Sequence, residues 1–328
     1  LFLSLLLILL NILRFVVNPV FTLSVEGVCT VTERTVAEGL LVCYNIFMSS
    51  APGDTSALVP VHTYPFEAMA ALMYAPGEPI YPHQRRESNL GQLLGYFEQH
   101  LQQNELGGAR WLPARIIAGC VNYKINQPDA GGHLNRVIEA TRQATAYYAG
   151  RFDHLAFSGF AARLGSDDAL MRSNVPRVLD SATMNAANPT LCLDMTRRVI
   201  DHVGPGGKVF IALGSGGILP CIQADIYHQA ATGTESVVYP VRFSTNKLKD
   251  REPRLSPEEV VYLQRLASEG FEPVIIDDDV ANGNTMQNAR KFFGEVFDHR
   301  PPGFVSYDVS NRGLTPFLPP RLIFTSKW

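Results

Sequence analysis

Three stretches in the second half of the chain hold residues whose types and spacing suit a phosphorylated sugar. In Glu272-Pro-Val-Ile-Ile-Asp-Asp-Asp-Val-Ala-Asn-Gly-Asn-Thr-Met286 an apolar run ends on Asp277, Asp278 and Asp279, and a polar loop then leads into a helical pattern. Three adjacent carboxylates repel one another, so they are expected to face water, a cation or hydroxyl groups. The loop suits the opposite charge. The backbone N–H groups of Ala281, Asn282, Gly283, Asn284 and Thr285, with the Thr285 hydroxyl, fall at a helix N-terminus, where a phosphate is favoured. Together the two parts could hold a sugar by its diol and by its phosphate. A capped turn with solvated acids is the plainer reading of the same residues.

The second stretch is Val209-Phe-Ile-Ala-Leu-Gly-Ser-Gly-Gly-Ile-Leu-Pro220, a strand, a turn and a helix. Missing side chains at Gly214, Gly216 and Gly217, on either side of Ser215, let a backbone approach an anion closely. A tight turn between strand and helix would explain the same glycines. The third stretch, Tyr239 to Arg254, is the most basic of the chain, with Arg242, Lys247, Lys249, Arg251 and Arg254. Other chemistries find little support. The eight histidines show no metal-ligand spacing, and neither Gly-x-Ser-x-Gly nor a Walker Gly-Lys-Ser/Thr occurs.

Val274 to Met286 resembles the thirteen-residue motif with which type I phosphoribosyltransferases bind phosphoribosyl pyrophosphate (PRPP). The resemblance implies that Asp277 and Asp278 are the acidic pair that orients the ribose and meets Mg²⁺, directly, through water or through the ribose hydroxyls. Ala281, Asn282, Gly283, Asn284 and Thr285 would cradle the 5′-phosphate. Gly214, Ser215, Gly216 and Gly217 would form the pyrophosphate loop. By position the basic segment matches the family's mobile loop, which makes Lys247 and Lys249 candidate catalytic cations and Arg242 a candidate substrate ligand. Two departures stand in the motif: Asn282 replaces the usual Thr or Ser, and Asp279 replaces an aliphatic residue. Ser215 stands where many relatives carry a basic residue.

The function implied is transfer of a phosphoribosyl group between PRPP and a small nitrogen base, with release of pyrophosphate, in nucleotide metabolism. A non-catalytic PRPP-sensing regulator of the same fold is the alternative that Ser215 and Asp279 favour, and a PRPP-independent enzyme of the same fold is a third. A homodimer is compatible with either PRPP-binding reading. The implied fold is α/β, a doubly wound, mostly parallel sheet of the phosphoribosyltransferase type with an additional N-terminal α/β hood.

The elements that must position these residues are clearest after residue 181, the expected start of the core, which runs to 328. Helices are expected over Leu191–Val203, Ile218–Ala231 and Asn284–Phe297, strands over Val209–Leu213, Ser236–Val241, Val274–Ile276 and Phe304–Val309. Ser256-Pro-Glu-Glu259 is a capping box that opens a further helix. Strands alternating with helices imply a parallel sheet with its sites at the carboxyl ends of the strands. Residues 48–180 form the expected hood, with helices over Asn89–Gln103 and His133–Tyr148 and a buried strand over Arg115–Tyr123. Its polar features, Arg85, Arg86, His83 and the pair Asn122 and Lys124, read as surface or capping residues.

Length and composition bound the remainder. With 328 residues, 46% of them hydrophobic, the chain can bury a sizeable core and is not a disordered segment. Lys and Arg number 28 against 31 Asp and Glu, so no basic excess points to nucleic acid. Five dispersed cysteines without a C-x-x-C pair argue against a disulfide framework and favour a reducing, cytoplasmic setting. Leu1 to Val17 is nearly continuous in its apolarity, yet the first Met is Met48. Residues 1–47 are therefore expected to lie upstream of the translation start, with a membrane anchor as the alternative.

Overall fold

The computed structural model of the chain describes residues 87–103, 105–128, 131–175, 185–243, 253–279, 283–307 and 322–323. Of the expectations above, residues 1–47, His83, Arg85 and Arg86 lie outside the described residues.

The described part of the hood is helical. Strand β1 (Ser88–Asn89) pairs antiparallel with β2 (Asn174–Val175), and these two short segments are its only described strands. Helix α1 (Leu90–Gln102) opens on an Asn89 capping box: Asn89 accepts from the Gln92 N–H and Gln92 answers at the Asn89 N–H. After the short α2 (Leu106–Ala109) comes α3 (Leu112–Asn126), followed by α4 (His133–Tyr148), α5 (His154–Gly165) and α6 (Asp168–Met171). Asp153 caps α5 by accepting from the N–H groups of Leu155 and Ala156.

Helix α3 corrects the strand expected over Arg115–Tyr123. Nearly all of its residues are buried, because α1, α4 and the core enclose it. A helix buried all round shows no apolar stripe, so a run such as Ile116-Ile-Ala-Gly-Cys-Val121 imitates a buried strand. Pro113 in the first turn and the absence of a turn before Asn126 mark the helix.

The second half alternates as expected. Helix α7 (Pro189–Val203) is capped by Asn188 and leads to strand β3 (Lys208–Leu213), helix α8 (Ile218–Thr232) and strand β4 (Ser236–Val241). Helix α9 (Pro257–Ser268), strand β5 (Glu272–Asp279), helix α10 (Asn284–Phe297), strand β6 (Gly303–Tyr307) and the short β7 (Leu322–Ile323) follow. The strand order is β4-β3-β5-β6-β7; the first four are parallel and β7 is antiparallel. The general right-handedness of such crossovers would place α8 on one face and α9 with α10 on the other. Helix α7 packs on α8, and α9 packs on α10. The result is an α/β architecture compatible with a doubly wound sheet.

Val209, Phe210, Ile211, Val274, Ile275, Ile276, Phe304 and Val305 are fully buried, as expected for a sheet covered on both faces. The layers are close at Gly303, where a Cβ would meet the Met286 sulfur of α10 at 2.3 Å and the methionine would have to move aside. Among the described residues no helix is long and apolar enough to cross a membrane.

Candidate functional site

In the order β4-β3-β5-β6 the chain leaves β3 in one direction, to β4, and later returns past it to β5. The crevice between the carboxyl ends of β3 and β5 is thus the topological switch point, where open α/β sheets bind ligands. The glycine turn 214–217 leaves the end of β3 and the acidic run ends β5. Two motifs about sixty residues apart in sequence therefore occupy adjacent positions.

Their contact is close. A Cβ on Gly216 would lie 1.9 Å from Asp278 Oδ2 and 2.2 Å from its Cγ, so the carboxylate rests on the backbone of the turn. Gly214 has a φ of 58°, in the left-handed region that glycine enters without strain. Its N–H donates to Val241 O at 2.9 Å, which ties the turn to the end of β4 as well. At Gly217 a Cβ would meet Ile276 O at 2.7 Å and Leu213 O at 2.8 Å, so only glycine brings the start of α8 this near the sheet.

Strand β5 extends through Asp279, further than the expected Val274–Ile276, and the acids are part of the ladder rather than of a loop. Strand alternation sends Asp277 and Asp278 to opposite sides of β5. Both are half-buried. The Asp278 N–H donates to Asp277 Oδ1 at 3.0 Å, and Ser306 Oγ of the neighbouring strand donates to Asp278 O at 3.3 Å. Asp277 acts on α8: the Cys221 thiol is pushed well above the usual thiol range by burial first, then by Asp225 and Asp277. Gly283 is buried with a φ of 76° and stands at the N-cap of α10, where its carbonyl accepts from Gln287 N–H at 2.9 Å. Asn284 and Thr285 form the first turn of that helix. Ala281, Asn282, Lys247, Lys249 and Arg251 lie outside the described residues, as does the side chain of Asp279.

Arg242 directly follows β4, and its Nη1 donates to Asn122 Oδ1 of α3 at 2.7 Å. Asn122 and Lys124 are not surface residues: both are buried at the junction of α3 with the core. Lys124 Nζ donates to Glu259 Oε1 at 2.6 Å, to Glu259 Oε2 at 2.9 Å and to Arg254 O at 2.8 Å. Glu259 also accepts from the Tyr239 hydroxyl and, at 2.6 Å, from the Ser256 N–H. Burial lowers the Lys124 pKa while Glu259 raises it, and the tyrosine is pushed well up by burial and then by Glu259. Residues on both sides of the basic segment, Arg242 and Arg254, are thus fastened to one hood helix. The capping box at Ser256 was legible; the lysine that completes it was not, because it lies 135 residues away.

Mg²⁺ can be held by one or two carboxylates when water and phosphate oxygens complete its octahedron. Among the described residues no three His, Cys, Asp or Glu side chains could hold a metal together. A cation here would depend on ligand oxygens. Comparison of the chain with protein-family models, with curated proteins and with solved structures finds no match.

Proposed function

We propose that the chain is a phosphoribosyltransferase of the type I kind: it binds PRPP with Mg²⁺ at the end of β5 and transfers the phosphoribosyl group to a nitrogen base. The observation that carries this reading is the meeting of Asp278 with Gly216 at the switch point, which unites the two stretches that resemble the PRPP motif and the pyrophosphate loop. In this reading Asp277 and Asp278 orient the ribose. The N-terminus of α10, from Gly283 to Thr285, with Ala281 and Asn282 before it, holds the 5′-phosphate. The turn 214–217 receives the pyrophosphate, and Arg242, Lys247 and Lys249 supply positive charge toward it. Mg²⁺ would neutralise the departing pyrophosphate, held at Asp277 and Asp278 or through the ribose hydroxyls. Transfer through an oxocarbenium-like transition state needs the sugar oriented, the leaving group neutralised and water kept out. The hood of residues 48–180 supports the base in this reading, and the setting is the cytoplasm.

A regulator that binds PRPP without turnover is the second reading, favoured by the carboxylate that covers the glycine turn. Thermal shift with PRPP and Mg²⁺ tests the common part. The wild type is expected to gain several degrees, and Asp277→Asn with Asp278→Asn to gain none; equal shifts refute the site. Pyrophosphate release with a panel of bases then separates enzyme from regulator.

A further inference from the structure

A second hollow lies toward the amino ends of the strands, away from the switch point. It measures about 450 Å³ and is formed by the C-terminal end of α8 and the end of α4. Ile226, Gln229, Ala230 and Gly233 line it at the i, i+3, i+4 and i+7 spacing of a single face of α8. Ala149 and Arg151, just past α4, and Glu235, just before β4, supply most of the rest. Helix α8 starts directly after the glycine turn and ends at this hollow, so roughly 22 Å of helix separates the two places.

The lining combines three chemistries. Ile226 and Ala149 are buried and offer apolar surface, whereas Arg151 and Glu235 are exposed. Among the described residues neither of these two charged side chains has an ion-pair or hydrogen-bond partner. Both act on the buried Asp225: burial raises that acid first of all, Ser236, Gln229 and Arg151 draw it down, and Glu235 pushes it up. The Gln229 amide is fixed in one orientation, since its Nε2 donates to Asp225 Oδ1 at 2.8 Å and to Ser236 O at 3.4 Å, which leaves Oε1 as an acceptor. The last carbonyls of α8 add partial negative charge. A Cβ on Gly233 would meet nothing within 4 Å, so the space beside that helix end is open. A simple anion here meets Glu235 and the negative helix end, and a simple cation meets Arg151. A small molecule that carries both charges beside an apolar group satisfies the whole lining.

We propose that this hollow is a binding site for a free apolar α-amino acid: Arg151 takes its carboxylate, Glu235 and the C-terminal end of α8 take its ammonium group, and Ile226, Ala149 and Ala230 receive its side chain. The inference goes beyond the PRPP reading and does not depend on it.

Titration calorimetry of the full chain with L-leucine tests it, beside leucinamide, which lacks the carboxylate, and isocaproate, which lacks the ammonium group. L-leucine is expected to bind with a Kd of about 1 mM or below, and each analogue at least about tenfold more weakly. Arg151→Gln is expected to weaken L-leucine about tenfold and to leave leucinamide unchanged or tighter. Glu235→Gln is expected to weaken L-leucine by a similar factor and to leave isocaproate unchanged or tighter. Both positions are exposed, so the variants should fold, and unfolding midpoints check this. A wild type that shows no saturation by L-leucine below about 10 mM overturns the inference. So does an analogue that binds as tightly as L-leucine, or a pair of folded variants that bind L-leucine as the wild type does.

Discussion

Two sets of acidic groups in this chain live under opposite conditions. Glu259 and Asp225 are sealed inside, and each is held by named donors: Glu259 by Lys124, Tyr239 and the Ser256 N–H, Asp225 by Ser236 Oγ at 2.5 Å and Gln229 Nε2 at 2.8 Å. Asp277 and Asp278 stand half-buried at a strand end, next to a turn stripped of side chains. The first arrangement consumes its charge within the fold. The second places Asp278 against the glycine turn, at the switch point of the sheet. Burial among named donors marks a structural carboxylate, and Asp278 is set apart from these by its place against bare backbone at the switch point.

The largest expected effect tests the sealed set. Lys124→Met leaves Glu259 charged and buried without its cation, and should cost about 3–5 kcal/mol in urea denaturation. Lys124→Met combined with Glu259→Gln should recover a large part of that loss. If the single change is nearly silent, the junction between α3 and α9 is wetter than the structure has it, and the contrast with the strand end fails.

Next in size is an effect of pH that two sealed residues on α8 exert in opposite directions. Burial pushes Asp225 up to about 6, so the fold favours its neutral form; that stabilisation is complete below about 3.8 and is lost as pH rises past about 6. Burial, and then Lys208, brings His228 down to about 4, so the fold favours the neutral ring; that stabilisation is complete above about 6.5 and is lost as pH falls toward about 4. Each is worth roughly 2–3 kcal/mol at full extent. Their slopes oppose each other across this window. Asp225→Asn should therefore make stability fall steeply with acid, and His228→Gln should make it rise, as read from urea midpoints at several pH values.

Two glycines of the turn sharpen the comparison at a smaller scale. Gly217→Ala drives a Cβ into the backbone at Ile276 and Leu213 and should cost about 1–3 kcal/mol. Gly216→Ala meets the movable end of a side chain, Asp278, and should cost less than Gly217→Ala. Smallest of all, Asp278→Asn without ligand should leave the unfolding free energy within about 0.5 kcal/mol of the wild type. A large loss would move Asp278 into the structural set.

Much of the core was readable because its local rules agree. Asn284–Phe297 and Ser236–Val241 match the expected bounds, and the helix after Ser256 begins where its capping box requires. The adjacency of the glycine turn and the acids was not readable from either stretch, since it arises from strand order. Nor was α3, whose burial on every side erases the period that betrays most helices. Asn122 and Lys124 looked like surface residues for the same reason: nothing near them in sequence announces Arg242 or Glu259, their partners across the fold.

The position of α3 and α4 against β4 has a consequence for how the chain can be divided. β4 is the outermost parallel strand, and Val238, Tyr239 and Val241 are buried along it. A fragment trimmed to residues 185–328 would present that strand as a long, unprotected edge with apolar neighbours, a template for pairing with another copy. Such a fragment should associate or precipitate during light scattering, whereas the intact chain keeps its sheet margin beneath its own helices.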